Sequence, residues 1–225
     1  MKNKIYILGG AGAFASVYCH HNFLVQFSQS FKIKKDADYP EIIHFSSNSL
    51  SINNSGLIKK SNIKKIKLYL DKIIKQANHK YHNYLLVPCN SIQPIVKDHL
   101  IDKKSNLVFI NMLESIKPIS FKNEHTVIFS SRYSRQHQLF DQLTNFKTIY
   151  PDPKNNKIID KIINASIAGR FSYKKELTDL INNYNQTHNV LLACSELSPY
   201  NLKMNNTFDT IDLANQMLIK KLLIK

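Results

Sequence analysis

Short apolar runs of strand length alternate along this chain with stretches in which apolar residues recur every three or four positions. The runs predict strands over residues 4–8, 41–45, 84–87, 107–110, 125–129, 147–150 and 190–193. Between them, the helical period predicts a helix from the turn after Gly9 to about Gln29. A loop through Gly56 leads to a second, over residues 59–77, where Ile63, Ile66, Leu70, Ile73 and Ala77 share one face. Further helices are expected from about residue 92 to 100, around Leu139, Phe140 and Leu143, and from Ile158 to Ile167, where Gly169 supplies the stop. Two more are expected, one carrying Leu177, Leu180, Ile181 and Tyr184 and one over residues 211–224.

Strands separated by helices call for crossover connections, and hence for a mostly parallel sheet. The order of elements also restarts at residue 125, where a strand, the polar turn Ser130-Ser131-Arg132-Tyr133-Ser134 and a helix follow one another as they do at the start of the chain. The expected fold is therefore α/β, with two similar lobes, each a mostly parallel sheet flanked by helices, and the active site in the cleft between them. Residues 1–103 with 208–225 are expected to form the first lobe and 104–207 the second, the final helix packing back on the first half.

With 225 residues and 43% hydrophobic side chains, the chain can bury a proper core. No apolar run approaches a membrane span, and Met1-Lys2-Asn3-Lys4-Ile5-Tyr6 enters a strand without a signal-peptide core, so a cytoplasmic protein with no membrane partner is expected. Three cysteines without CxxC spacing point to reduced thiols, not to a disulfide framework or a zinc site. The formal charge of +15 raises nucleic acid or another polyanion as a partner. The lysines are scattered, however, and Lys60, Lys64, Lys67 and Lys75 fall largely on the outer side of the amphipathic second helix. A solvated face is the expectation there, and nucleic acid is not the expected partner.

Chemistry enters at two strand ends. Tyr84-Leu85-Leu86-Val87-Pro88-Cys89-Asn90-Ser91 and Val190-Leu191-Leu192-Ala193-Cys194-Ser195-Glu196-Leu197 are both apolar runs that stop at a cysteine followed by polar groups. Each thiol is thereby expected at a carboxyl-terminal strand end, where open α/β sheets hold their ligands. A helix start after each cysteine would lower its pKa from the usual value. Cys19 has no such context and reads as packing, and the His20-His21 pair has no evident metal-ligand partners. The turn after the first strand offers backbone N–H groups to an anion. Gly10, Gly12 and Ala15 also fit a loose GxGxxA dinucleotide fingerprint, with Asp36 and Asp38 at about the right distance. Those aspartates do not end a convincing second strand, which argues against a nicotinamide site.

Together, Gly9-Gly10-Ala11-Gly12-Ala13-Phe14-Ala15-Ser16, Pro88-Cys89-Asn90-Ser91, Phe109-Ile110-Asn111-Met112, Ala193-Cys194-Ser195-Glu196 and Phe208-Asp209-Thr210 resemble, in order, the motifs of the aspartate/glutamate racemase superfamily. The resemblance implies a cofactor-independent racemase acting on a small amino-acid substrate, aspartate, glutamate or a related one, with Cys89 and Cys194 as the two proton-transfer groups. Asn90, Ser91, Ser131 and Ser195 would bind the α-carboxylate, and Glu196 would orient a thiol or the ammonium group. Arg132 and Tyr133 resemble the Arg-Tyr-Thr turn of broader-specificity members. Arg170 resembles the family's basic side-chain-binding position and is expected to take a second carboxylate. The opening turn departs from the usual Met-Gly-Pro, and no Pro-Asp-Arg segment follows Ser49. Two other readings stand beside this one: another cleft enzyme of the superfamily, an isomerase or decarboxylase, and a basic polyanion-binding protein on the same fold. A homodimer is compatible with all of them.

Overall fold

In the computed structural model of the protein, which describes residues 2–50, 58–77, 80–143 and 146–224, the strands form two four-stranded sheets with all pairings parallel. The first contains β1 (Lys2–Gly9), β2 (Glu41–Ser46), β3 (Tyr81–Leu86) and β4 (Val108–Ile110) in the order β2-β1-β3-β4. The second contains β5 (His125–Phe129), β6 (Lys147–Ile149), β7 (Asn189–Leu192) and β8 (Thr207–Asp209) in the order β6-β5-β7-β8. The two sheets thus have one topology. In each, the chain leaves the central strand to one side and returns on the other, which puts a crevice at the carboxyl ends of β1 and β3 and of β5 and β7.

Helices cover both faces of each sheet. In the first lobe, α2 (Lys60–Gln76) and α3 (Gln93–Asp102) bury Ile66, Leu70, Ile73 and Val96 against Tyr6, Leu8 and Leu85. Lys60, Lys64 and Lys75 are exposed, as the amphipathic pattern requires. The other face is covered by α1 (Ala13–Ser30) and by α7 (Thr210–Leu223), whose Ile211, Ala214 and Leu218 join Ile5, Ile7, Tyr84 and Leu86 in one core. The last helix therefore packs on the first half, as expected. It also places Leu213 among Ile128, Phe140 and Leu191 of the second lobe, so it cements the two lobes together. In the second lobe, α5 (Pro153–Ile167) and α6 (Lys174–Asn182) bury Ile159, Ile162, Ile163, Leu177 and Ile181 against Val127, Phe129, Val190 and Leu192.

Three expectations are corrected and one strand is added. The helix expected around Leu139, Phe140 and Leu143 is only α4 (Arg132–Gln136), and the three apolar residues lie in the turns that follow. They are buried nonetheless, because they plug the sheet from irregular backbone beyond Gln138, whose φ of 48° breaks the helix. Tyr184 lies beyond α6. β8 was not predicted, being three residues long and too short to show alternation. The division between lobes also falls later than residues 103 and 207, since β4 pairs with β3 and β8 with β7. The Gly56 loop lies outside the described residues. Among the described residues no helix is long and apolar enough to cross a membrane.

Candidate active site

Four chain segments leaving β1, β3, β5 and β7 converge between the lobes. After β1, Gly10 and Gly12 take φ values of 107° and 104°, which turn the backbone sharply into α1. A β-carbon on Gly12 would also collide with Oε1 of Glu196, which reaches it from the other lobe. The turn is glycine for a steric reason as well as a conformational one. After β5, the equivalent position is filled differently: Ser131 caps α4, its hydroxyl accepting from the Ser134 amide at 3.3 Å.

Each cysteine follows its strand within three residues and begins a short 3-10 turn, Asn90–Ile92 after Cys89 and Ser195–Tyr200 after Cys194. The two come from different lobes and line one small cavity of about 40 Å³. Ser91, Ser131, Ser195 and Glu196 line it too, so six of the eight residues singled out in the sequence meet here. Ala11 and Gly12 form one wall, and Tyr133, Ile163 and Ile167 another. Ser91 connects the halves of the site, its hydroxyl lying 3.2 Å from those of both Ser131 and Ser134.

Asn90 does a different job from the one expected. Its side-chain amide donates to the Ala193 carbonyl at 3.0 Å and to the Thr210 hydroxyl at 2.9 Å, and Thr210 passes the chain on to the Leu192 carbonyl at 3.2 Å. Asn90 thus ties the Cys89 turn to the Cys194 strand and fixes their mutual position, while its Oδ1 is buried without a hydrogen-bond partner. Arg170 does not join the site. It is exposed beyond the end of α5, in a separate surface pocket of about 420 Å³ with Arg132, Lys157 and Lys161. The αL conformation of Gly169 turns the chain outward before Arg170. Arg135 is nearer the cavity, but its guanidinium forms two 2.8 Å bonds to Asp160 and also donates to the Ser130 carbonyl.

The electrostatics also differ from expectation. Burial pushes the Cys89 thiol up to about 12, with the charge of Glu196 adding to the effect, although the amides of Ser91 and Ile92 pull the other way. Cys194 is raised too, by burial first and Glu196 second. Turns this short supply a few N–H donors, and in a dry site these do not outweigh desolvation. Glu196 itself is 6% exposed, and burial raises its carboxyl to about 7. One of its oxygens, Oε2, has no hydrogen-bond partner. Cys19 is packing, as expected: it is buried in the α1–α7 interface, 3.6 Å from Asn215 Oδ1.

Sequence reasoning missed Ser134, Tyr133 as a cavity wall, and Thr210 as the anchor of Asn90. Ser134 was findable as the third residue after a serine cap, whereas Thr210 is brought in only by the long-range docking of α7. Asp36 and Asp38 lie before β2, at the end of the strand away from the glycine turn. Among the described residues no cluster of His, Cys, Asp or Glu is arranged to hold a metal.

No protein-family model and no curated protein sequence matches the chain. Solved structures do. An aspartate racemase homologue from Pyrococcus horikoshii OT3 superposes with a TM-score of 0.73 at 15% identity, covering 100% of both chains. The aspartate racemase of Picrophilus torridus gives 0.70 at 18% identity, over 97% of this chain and 94% of its own. Glutamate racemase from Francisella tularensis, solved in complex with D-glutamate, gives 0.62 at 13% identity over 99% and 81%. The chain has the two-lobed α/β fold of these proteins across its whole length.

Proposed function

We propose that this protein is a cofactor-independent amino-acid racemase, acting on aspartate, glutamate or a related amino acid, in which Cys89 and Cys194 exchange the α-proton across the two faces of the substrate. The observation that carries the reading is that two thiols, one from each lobe at equivalent strand ends, line a single cavity. The fold shared with racemase structures supports it.

Inverting a stereocentre by proton transfer needs a base on one face of the carbon and an acid on the other. One cysteine, as thiolate, takes the α-proton, and the C–H electron pair passes into the α-carboxylate as an enediolate. The other cysteine, as thiol, returns a proton to the opposite face and is left as the thiolate. The reverse reaction exchanges the roles. Ser91, Ser131 and Ser195, with the amides of the strand-end turns, provide the donors that hold the carboxylate and stabilise the charge developing on it. Asn90 acts by holding the two cysteine turns in register.

The raised thiol pKa values come from burial and from the neighbouring Glu196. A cavity of about 40 Å³ has room for roughly two or three water molecules, so the lobes must part to admit an amino acid. The substrate then brings an ammonium charge that offsets Glu196 and lowers the cost of forming a thiolate.

The test is exchange of the α-proton in deuterated water, followed by NMR with both enantiomers of each amino acid. Exchange should proceed without added pyridoxal phosphate or nicotinamide, survive chelation, and vanish in the Cys89→Ser, Cys194→Ser double variant. Exchange in that double variant, or a requirement for any of these additives, would overturn the proposal.

A further inference from the structure

We infer that the site selects amino acids with uncharged, apolar side chains, with Glu196 reserved for the substrate ammonium; the inference rests on the racemase reading and, within it, favours a related neutral amino acid over aspartate and glutamate.

Charge and hydrogen-bonding capacity in the cavity lead to this. Glu196 is its one carboxylate, it is 94% buried, and Oε2 is buried without a partner. A buried acceptor without a donor is costly to keep. The hydroxyls of Ser91 and Ser131, by contrast, donate and accept among themselves. An α-ammonium carries three donors and a positive charge, which answers the Glu196 carboxylate, whereas the α-carboxylate needs donors and goes to the hydroxyls and amides. With these two groups placed, the substrate side chain is left with the remaining wall, Tyr133, Ile163 and Ile167.

A second carboxylate on the substrate would meet a wall of two isoleucines and the Tyr133 ring, whose hydroxyl is its one polar group, and add a negative charge to a cavity that already holds Glu196. The nearby cations are engaged or turned elsewhere. Arg135 is held by Asp160 and the Ser130 carbonyl, and Arg132 and Arg170 line the outer pocket. An amino acid with a neutral side chain brings no net charge: its ammonium balances Glu196, and its α-carboxylate is the one remaining negative charge, held by the hydroxyls and amides. A dicarboxylate leaves two, and the second has no donor cluster or cation to meet it in a largely buried site, where an unpaired carboxylate is disfavoured.

The experiment compares kcat/KM for α-proton exchange across alanine, serine, valine, methionine, aspartate and glutamate. At least one neutral substrate is expected to exceed both acidic ones by roughly 100-fold or more. Exchange of aspartate or glutamate at a rate equal to or above the best neutral amino acid would overturn this inference and leave the racemase reading standing. Exchange with none of the amino acids would overturn the racemase reading and the inference with it. Ile167→Lys places a cation against the side-chain wall and should shift the aspartate-to-alanine ratio upward by about 10-fold. An unchanged ratio in a folded variant would overturn the placement of the side chain against α5.

Discussion

The two lobes share one strand order, yet their cleft-facing turns are built from opposite materials. After β1 the chain presents Gly9, Gly10 and Gly12, with φ above 100° at the last two, and so offers backbone with little side chain. After β5 it presents Ser130, Ser131 and Ser134 in ordinary helix-capping geometry and offers hydroxyls. The turns after β3 and β7 repeat the contrast. Asn90 spends its amide on the partner lobe, whereas Glu196 presses against the glycine turn and lines the cavity. A duplicated backbone thus supplies two equivalent thiols, and the unequal turns around them supply a site that can hold one chiral substrate in one orientation. On the proposed mechanism, symmetry serves the proton transfer and asymmetry serves binding.

The largest effect should come from breaking the equivalence of the thiols. Cys89→Ser and Cys194→Ser should each reduce racemisation by about 10³-fold or more, since one face then lacks an effective acid or base. Each variant should keep residual chemistry with one enantiomer only, read as elimination from the D or L form of a chloro-substituted substrate analogue. The two variants should prefer opposite enantiomers. The same preference in both would contradict the arrangement of one thiol per face.

Next in size is Gly12→Ala, which attacks the backbone side of the contrast. The substitution forces an L side chain to a φ of 104° and drives its β-carbon into Glu196. A loss of about 2–4 kcal/mol is expected in denaturant unfolding. Pairing it with Glu196→Ala, which removes the colliding carboxylate, should recover part of that loss. No recovery in the double variant would mean that the glycine is required for its conformation alone.

Glu196→Gln should be smaller and dependent on pH. Burial holds the Glu196 carboxyl near 7, above the ordinary 4.5. Between those values the folded protein keeps a proton that the unfolded chain has released. Stability from this group is therefore greatest at low pH and declines as pH rises towards 7, by about 3 kcal/mol. The glutamine variant should match the wild type near pH 4 and exceed it at pH 8. Since buried Asp209 is also raised, the difference between the two proteins, not the slope of either, is the quantity to measure. Alkylation of both thiols at pH 8 should be faster in the variant, because Glu196 is a cause of the rise in each.

Much of this arrangement was legible in the chain. The matching runs that end in Cys89 and Cys194 gave the parallel sheets and the cleft, because buried strands announce themselves by apolar content and the switch to polar residues marks their carboxyl ends. The roles of Asn90 and Arg170 were not legible. A motif shows which residue types stand near a site but not which hydrogen bond an amide has already made, and Asn90 is engaged by Thr210 from a segment 120 residues away. Arg170 depends on the direction in which the chain leaves α5, which the αL geometry at Gly169 decides. The shift in thiol pKa was misjudged because a helix start can be read locally, while burial is a property of the assembled lobes.

The smallest effect tests the hydroxyl side of the contrast. Ser131→Ala removes the cap of α4, a helix of five residues, and one of three hydroxyls in the cluster. Ser91 and Ser134 remain 3.2 Å apart and can still bond to each other, so no buried hydroxyl is orphaned. Only the cap is lost, at about 1 kcal/mol in denaturant unfolding. The effect on function should be clearer. A donor to the α-carboxylate disappears, and kcat/KM should fall by about 10- to 100-fold, whereas the mutation leaves both thiols and Glu196 in place. Ser131→Thr, which retains a hydroxyl, should restore most of the loss. A stability cost for Ser131→Ala as large as that of Gly12→Ala, with kcat/KM unchanged, would reduce the serine to scaffold and remove the distinction between a turn that shapes the site and one that binds in it.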